Sequence, residues 1–296
     1  MNTKAFGLLI LKILALAVIL MMINGFASRF LPAPAAPPSG SFMAVVSIYM
    51  LLQTIALAYL IVRSKWHGWK LALGVFVLSF GTVTFMSQIE SLVYLGGKMP
   101  EGMLGGLFAM GAVAALVFAP IAVLVLGKWK KPTTEDGASQ RYEPRSTGEW
   151  AWKIAVGGFV FLSLYYLFGY FVAWQIPAIR DYYGGTDPGS FFAQMQSILS
   201  GQPWMVPFQY LRGLMWVGLA ILVIRIMKGA WWEAGLAAAL LFAVPSFGLL
   251  LPNDMMPEAV RMGHFVETLP YQFLFGWIAA WLFCRLGADK LTQRLE

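Results

Sequence analysis

The sequence predicts an all-α integral membrane protein with about eight transmembrane helices, on three observations. First, 59% of its 296 residues are hydrophobic and 12% charged, with a mean hydropathy of +0.69, whereas soluble domains carry about a quarter charged residues. Second, the apolar residues fall into eight long runs, each near the roughly 20 residues that a helix needs to cross a bilayer core. Third, lysine and arginine gather on one side of those runs, as cytoplasmic loops do.

The first run, 5–28, follows Lys4 and precedes PAPAA at 32–36, which resembles a signal-peptidase site. Its length far exceeds a signal-peptide core of about 7–15 residues, so it is expected to stay as a span. RFLPAPAAPPSG, 29–40, is Pro-rich and expected to be extended. The second run, 42–62, ends at Arg63, and a basic turn containing His67 leads into the third, 70–95. That third run places Thr84, Ser87, Gln88, Glu90 and Ser91 toward its far end. The fourth, 103–126, opens with Gly102, Gly106 and Ala109, small residues that let helices approach closely.

A polar connection, 128–150, separates these four runs from the next four. The fifth run, 151–176, carries Tyr165, Tyr166, Tyr170 and Trp174, read as packing aromatics, and Gln175, with Arg180 and Asp181 just beyond. In the long segment 179–211, Phe191, Phe192, Met195, Ile198 and Leu199 recur at helical spacing with Gln194 and Gln196 opposite, which predicts a short helix lying in the membrane interface. The sixth run, 207–227, has Gln209 and Arg212 three apart on one face. The seventh, 231–251, holds only Glu233, near its start. The eighth, 259–284, carries Arg261, His264, Glu267, Thr268, Tyr271 and Gln272, most of them within a sector of roughly 100° at helical spacing. Pro270 removes one backbone bond there and is expected to kink the helix near Glu267.

With both termini cytoplasmic, sixteen of the 21 lysines and arginines fall on the cytoplasmic side. Only Arg29, Lys98, Arg180, Arg212 and Arg261 fall outside. The net charge of +7 therefore reads as a topology signal and a contact with lipid, and nucleic acid is not an expected partner. The expected location is a bacterial-type inner membrane.

The two halves also resemble each other. LAYLIVRSKWHGWKLALGVFVLSFG, 57–81, parallels LAILVIRIMKGAWWEAGLAAALLFAVPSFG, 219–248, and KMPEGMLGGLF, 98–108, parallels MMPEAVRMGHF, 255–265. The domain reading is one membrane half at 1–127, a cytoplasmic linker at 128–150 and a second half at 151–296. An even number of spans per half makes the repeats parallel.

Motifs with a known chemical mechanism are lacking. The chain has no HExxH, CxxC, GxSxG, Walker loop or Rossmann fingerprint, and its only cysteine is Cys284. No metal and no cofactor are expected. Charges inside spans are costly, about 2.5–3.5 kcal/mol each at a span's centre, unless paired or facing a cavity. The candidate ligand-binding residues are therefore Glu90, Gln209, Arg212, Asn253, Arg261, His264 and Glu267. All lie toward the outer side, which fits a pocket open to the outer leaflet or periplasm, taking an anionic or zwitterionic ligand such as a lipid headgroup or small solute, with transport as one use. Two alternatives use the same groups differently: an intramembrane enzyme acting on a lipid-linked substrate, with His264 as base and Glu267 orienting it, and an accessory subunit of a larger membrane complex. A buried ion-pair network that only pins helices is the purely structural reading.

Overall fold

The computed structural model describes residues 3–32, 40–95, 97–131, 146–187, 189–253 and 255–285. Among them every regular element is helical, apart from one isolated bridge between Ser64 and Met227. Residues 33–39 of the Pro-rich stretch, most of the 128–150 connection and the C-terminal cations Lys290 and Arg294 lie outside the described residues. At the edges of that stretch Arg29 and Phe30 belong to a 3-10 turn and Gly40 to a helix, where an extended chain was expected.

Each of the eight apolar runs coincides with a helical stretch to within four residues at either end. Seven of these stretches are long and apolar enough to cross a membrane. The eighth, with 27 residues, matches them in length and differs through its polar stripe. Large apolar side chains such as Phe6, Leu11, Val18 and Met22 are exposed on the first helix, as befits a surface whose solvent is lipid.

By packing, the chain divides into two compact units, Met1–Ser139 with Arg225–Gly229, and Gln140–Ile224 with Ala230–Glu296. In the first unit, α1 (Thr3–Ala27) ends in a 3-10 turn, Ser28–Phe30, and α2 (Gly40–Val62) packs against it. Next comes α3 (Gly68–Ser79), which passes through a π-helical stretch, Phe80–Phe85, into α4 (Met86–Leu95). α5 (Met103–Val125) packs on α1 and α3. Gly106 of α5 lies against the backbone carbonyl of Phe30, where a Cβ would collide. Gly111 fits the Thr84 side chain in the same way. Of the small residues that open the fourth run, Gly106 thus allows close approach, whereas Gly102 caps the helix at φ 76° with nothing within 4 Å of where its Cβ would be.

In the second unit, α6 (Thr147–Phe171) begins at Ser146, whose hydroxyl accepts the amide of Glu149 at 3.1 Å, a standard helix cap. A 3-10 turn, Ala173–Gln175, follows, then α7 (Pro177–Tyr183) and α8 (Phe191–Gly201). α8 is the helix expected from the Phe, Met, Ile and Leu spacing, and none of its residues is buried. α9 (Met205–Ile226) meets α6 through glycines: Gly158 faces Leu214 and Tyr210, and Gly213 faces the Gly158 carbonyl. α10 (Trp231–Ala243) leaves the α conformation at Val244–Leu250, a 3-10 stretch. Finally α11 (Glu258–Cys284) continues through Pro270 and packs on α10 and α6.

Candidate functional site

Most of the polar stripe on α11 finds partners in the second unit. Pro257 caps the helix, and Arg261 reaches back from its first turns, its Nε donating to the carbonyl of Met256 at 3.1 Å and an Nη to that of Leu249 at 3.4 Å. It is buried and fastens α11 to the loop before it. Asn253 closes that same loop: its side-chain oxygen accepts the amides of Met255 and Met256 at 3.1 and 3.0 Å, and its amide donates to the Leu251 carbonyl. Both side chains are engaged by backbone groups of that loop.

One turn further along, His264 Nδ1 lies 2.8 Å from Glu267 Oε2, the i to i+3 spacing that puts both on one face. The other ring nitrogen, Nε2, is 3.1 Å from the hydroxyl of Tyr183 on α7. A carboxylate can only accept, so Nδ1 carries a proton, and in the neutral ring Nε2 accepts from the Tyr183 hydroxyl. The result is a hydrogen-bonded chain, Tyr183 to His264 to Glu267. Burial grades along it, from a half-buried Tyr183 and a His264 side chain 20% exposed to a Glu267 side chain only 7% exposed. Gly169 of α6 lies beside the carboxylate, where a Cβ would make an ordinary van der Waals contact with Glu267 Oε1 at 3.5 Å. Aromatic rings gather at the more exposed end of the chain of bonds: Trp174, Tyr182 and His264 all pack against Tyr183.

Beyond Glu267 the stripe continues to Thr268 and Gln272, each with a buried side-chain oxygen that has no hydrogen-bond partner among the described residues. Gln209 and Arg212 form a second pair on α9, 2.7 Å apart and almost wholly buried. The Arg212 guanidinium lies over the rings of Phe161 and Phe208, 5.9 Å from each centroid. The two pairs thus meet α6 at positions eight residues apart, Phe161 and Gly169, or about 12 Å along the helix. Glu90 sits half-buried on α4 of the first unit.

Sequence reasoning did not single out Tyr183. The signal was present in PAIRDYYG, where Pro177 starts a helix and Gly184, at φ 70°, ends it. Reading that seven-residue helix would have set Tyr183 on the last turn of an ordered element. Its side chain, with that of Tyr182 donating to the Met255 carbonyl at 2.7 Å, is what α7 contributes to the site. No protein-family model matches the chain, and no curated protein or solved structure is significantly similar to it.

Proposed function

We propose that the chain is an eight-span, two-repeat protein of a bacterial-type inner membrane with both termini cytoplasmic. Its second half carries an outward-facing site for an anionic or zwitterionic ligand, such as a lipid headgroup or small solute. The observation that carries the reading is the Tyr183–His264–Glu267 chain on a helix whose first-half counterpart has no polar stripe. Aligned on Met-Pro-Glu, positions 261, 264, 267, 268, 271 and 272 correspond to Leu104, Leu107, Met110, Gly111, Ala114 and Ala115. A helix can therefore fill this place in a four-helix half without those polar groups.

Several local likenesses favour the duplication. The first helix of each half ends in a 3-10 turn, Ser28–Phe30 and Ala173–Gln175. Gly106 of α5 and Gly263 of α11, the fourth and sixth residues of their helices, both press on the chain just at or after that turn, at Phe30 in one and Ile176 and Ile179 in the other. Both Ser-Phe-Gly segments leave the α conformation, as π and 3-10 stretches. With Leu57 aligned to Leu219, Ser64 corresponds to Ile226 and Lys65 to Met227. The Ser64–Met227 bridge and the Lys65 amide's bond to the Ile226 carbonyl, at 2.9 Å, therefore join each residue to its neighbour's counterpart, as a local two-fold requires.

At the site, the Tyr183 hydroxyl is the donor that can turn from His264 Nε2 to a ligand's anionic end, and Glu267 suits a cationic end. The unmet oxygens of Thr268 and Gln272 extend the polar lining inward. The test is native mass spectrometry of gently purified protein, followed by His264→Ala. A retained lipid or solute that disappears in the variant is the expected result. If nothing is retained and the variant loses only thermal stability, the groups merely hold helices together. Flux into liposomes then separates a transporter from a binding protein.

The enzyme reading has one specific observation behind it. A histidine with a carboxylate on Nδ1 and a hydroxyl on Nε2 is an oriented acid–base group. It requires turnover of a lipid-linked substrate that His264→Ala abolishes while binding persists.

A further inference from the structure

Away from that site, three connections of the first unit meet at one end of their helices. The Lys228 amide donates to the Arg63 carbonyl at 2.9 Å, the Gly68 amide to the Lys128 carbonyl at 3.0 Å, and Lys128 Nζ to the Ser64 carbonyl at 3.2 Å. Gly68 adopts φ +57°, and a Cβ there would press on the Trp129 carbonyl. The glycine lets the two turns close on each other. Residues 63–70, 126–131 and 225–229 include Arg63, Lys65, Lys70, Lys128, Lys130, Lys131, Arg225 and Lys228 and no aspartate or glutamate.

The field of these cations is felt at His67, whose pKa is held below its usual value by burial and by Lys128, Lys131 and Lys228. Tryptophans border the same patch. Trp69 is 71% exposed and meets Trp129 edge-on at 4.8 Å, and Lys70 lies over Trp66 at 4.3 Å. The patch lies at the ends of α2, α3 and α5, which places it at headgroup level, where tryptophan concentrates.

We propose that this end of the first unit is a binding site for the phosphate of an anionic phospholipid, with Lys128, Lys131 and Lys228 around His67 as its cationic seat and Trp69 and Trp129 against the glycerol and upper acyl chains. A free anion would find the cations but make no use of two tryptophans at the membrane surface. The assignment is independent of the Tyr183–His264–Glu267 site and of which leaflet faces the patch.

The experiment places the full chain in nanodiscs of phosphatidylcholine with increasing phosphatidylglycerol. Two readouts are native mass spectrometry of retained lipid and the NMR titration of the two histidines, with His67 assigned by His67→Gln. Selective retention of phosphatidylglycerol and a rise of the His67 pKa toward its usual value are expected, because a seated phosphate offsets the lysines. Replacing Lys128, Lys131 and Lys228 together by glutamine should weaken the preference by on the order of 100-fold, whereas the same change at Lys4, Lys12 and Lys98 should leave it intact. Equal retention of both lipids with an unchanged His67 titration overturns the proposal, and it needs no variant to fold. So does inorganic phosphate shifting His67 as far as the lipid does, which would make the ligand a soluble anion.

Discussion

α5 and α11 open alike and are finished differently. Each follows a Met-Pro-Glu, each uses a glycine in its first two turns to press on the chain near the 3-10 turn after the half's first helix, and each packs on the first and third long helices of its half. From there α5 is apolar on every face, with Pro120 in its interior, and α11 carries arginine, histidine and glutamate down one side. The comparison separates scaffold from addition. What the two helices share serves packing, and what α11 alone carries lies against α7.

The sharpest way to break this comparison is to rewrite α11 toward α5. His264→Ala alone leaves Glu267 buried without its imidazole, and removing one partner of a buried pair costs on the order of 3 kcal/mol. His264→Leu with Glu267→Met installs the α5 residues, and two apolar side chains should bring stability back to within about 1 kcal/mol of the original or above it. Thermal unfolding in detergent reads both. A double variant as unstable as the single one would mean that the polar pair holds the fold.

The shared glycines sharpen the comparison with a smaller effect. Gly106→Ala drives a methyl into the rigid Phe30 carbonyl and should cost about 2 to 3 kcal/mol, whereas Gly263→Ala meets only the Cδ1 tips of Ile176 and Ile179, which can rotate away, at about 1 kcal/mol. Equal losses would show that the two contacts are not the same device.

The smallest effect lies at the basic turn. His67 favours its neutral form when folded, so the unfolded chain binds more protons between the lowered folded pKa and the ordinary value of about 6.5. Stability therefore rises with pH across that window and is lost as pH falls through it. His67→Gln should flatten this slope in unfolding measurements over the same range.

Much of the architecture was legible because the bilayer imposes it. A span must be long and apolar, and so the eight runs located the helices to within a turn. The stripe on α11 was also legible, since residues three and four apart share a helical face whatever the fold. The π stretch at Phe80–Phe85 was not; it sets Thr84 against Gly111 of α5, a contact between helices that no one-dimensional pattern records. Nor was the division of labour within the stripe. Arg261 and Asn253 looked as able to meet a ligand as His264 did, and only their bonds to backbone carbonyls and amides before α11 distinguish them.

By itself, then, the sequence determined what a one-dimensional pattern can encode: an oily chain, its helical stretches, their charge bias, and the face on which the polar groups of α11 align. Tertiary structure decided which of those groups are partnered, because a hydrogen bond depends on what a distant segment brings within about 3 Å. Tyr183 is 81 residues from His264 and reaches its ring nitrogen only because α7 is packed against α11.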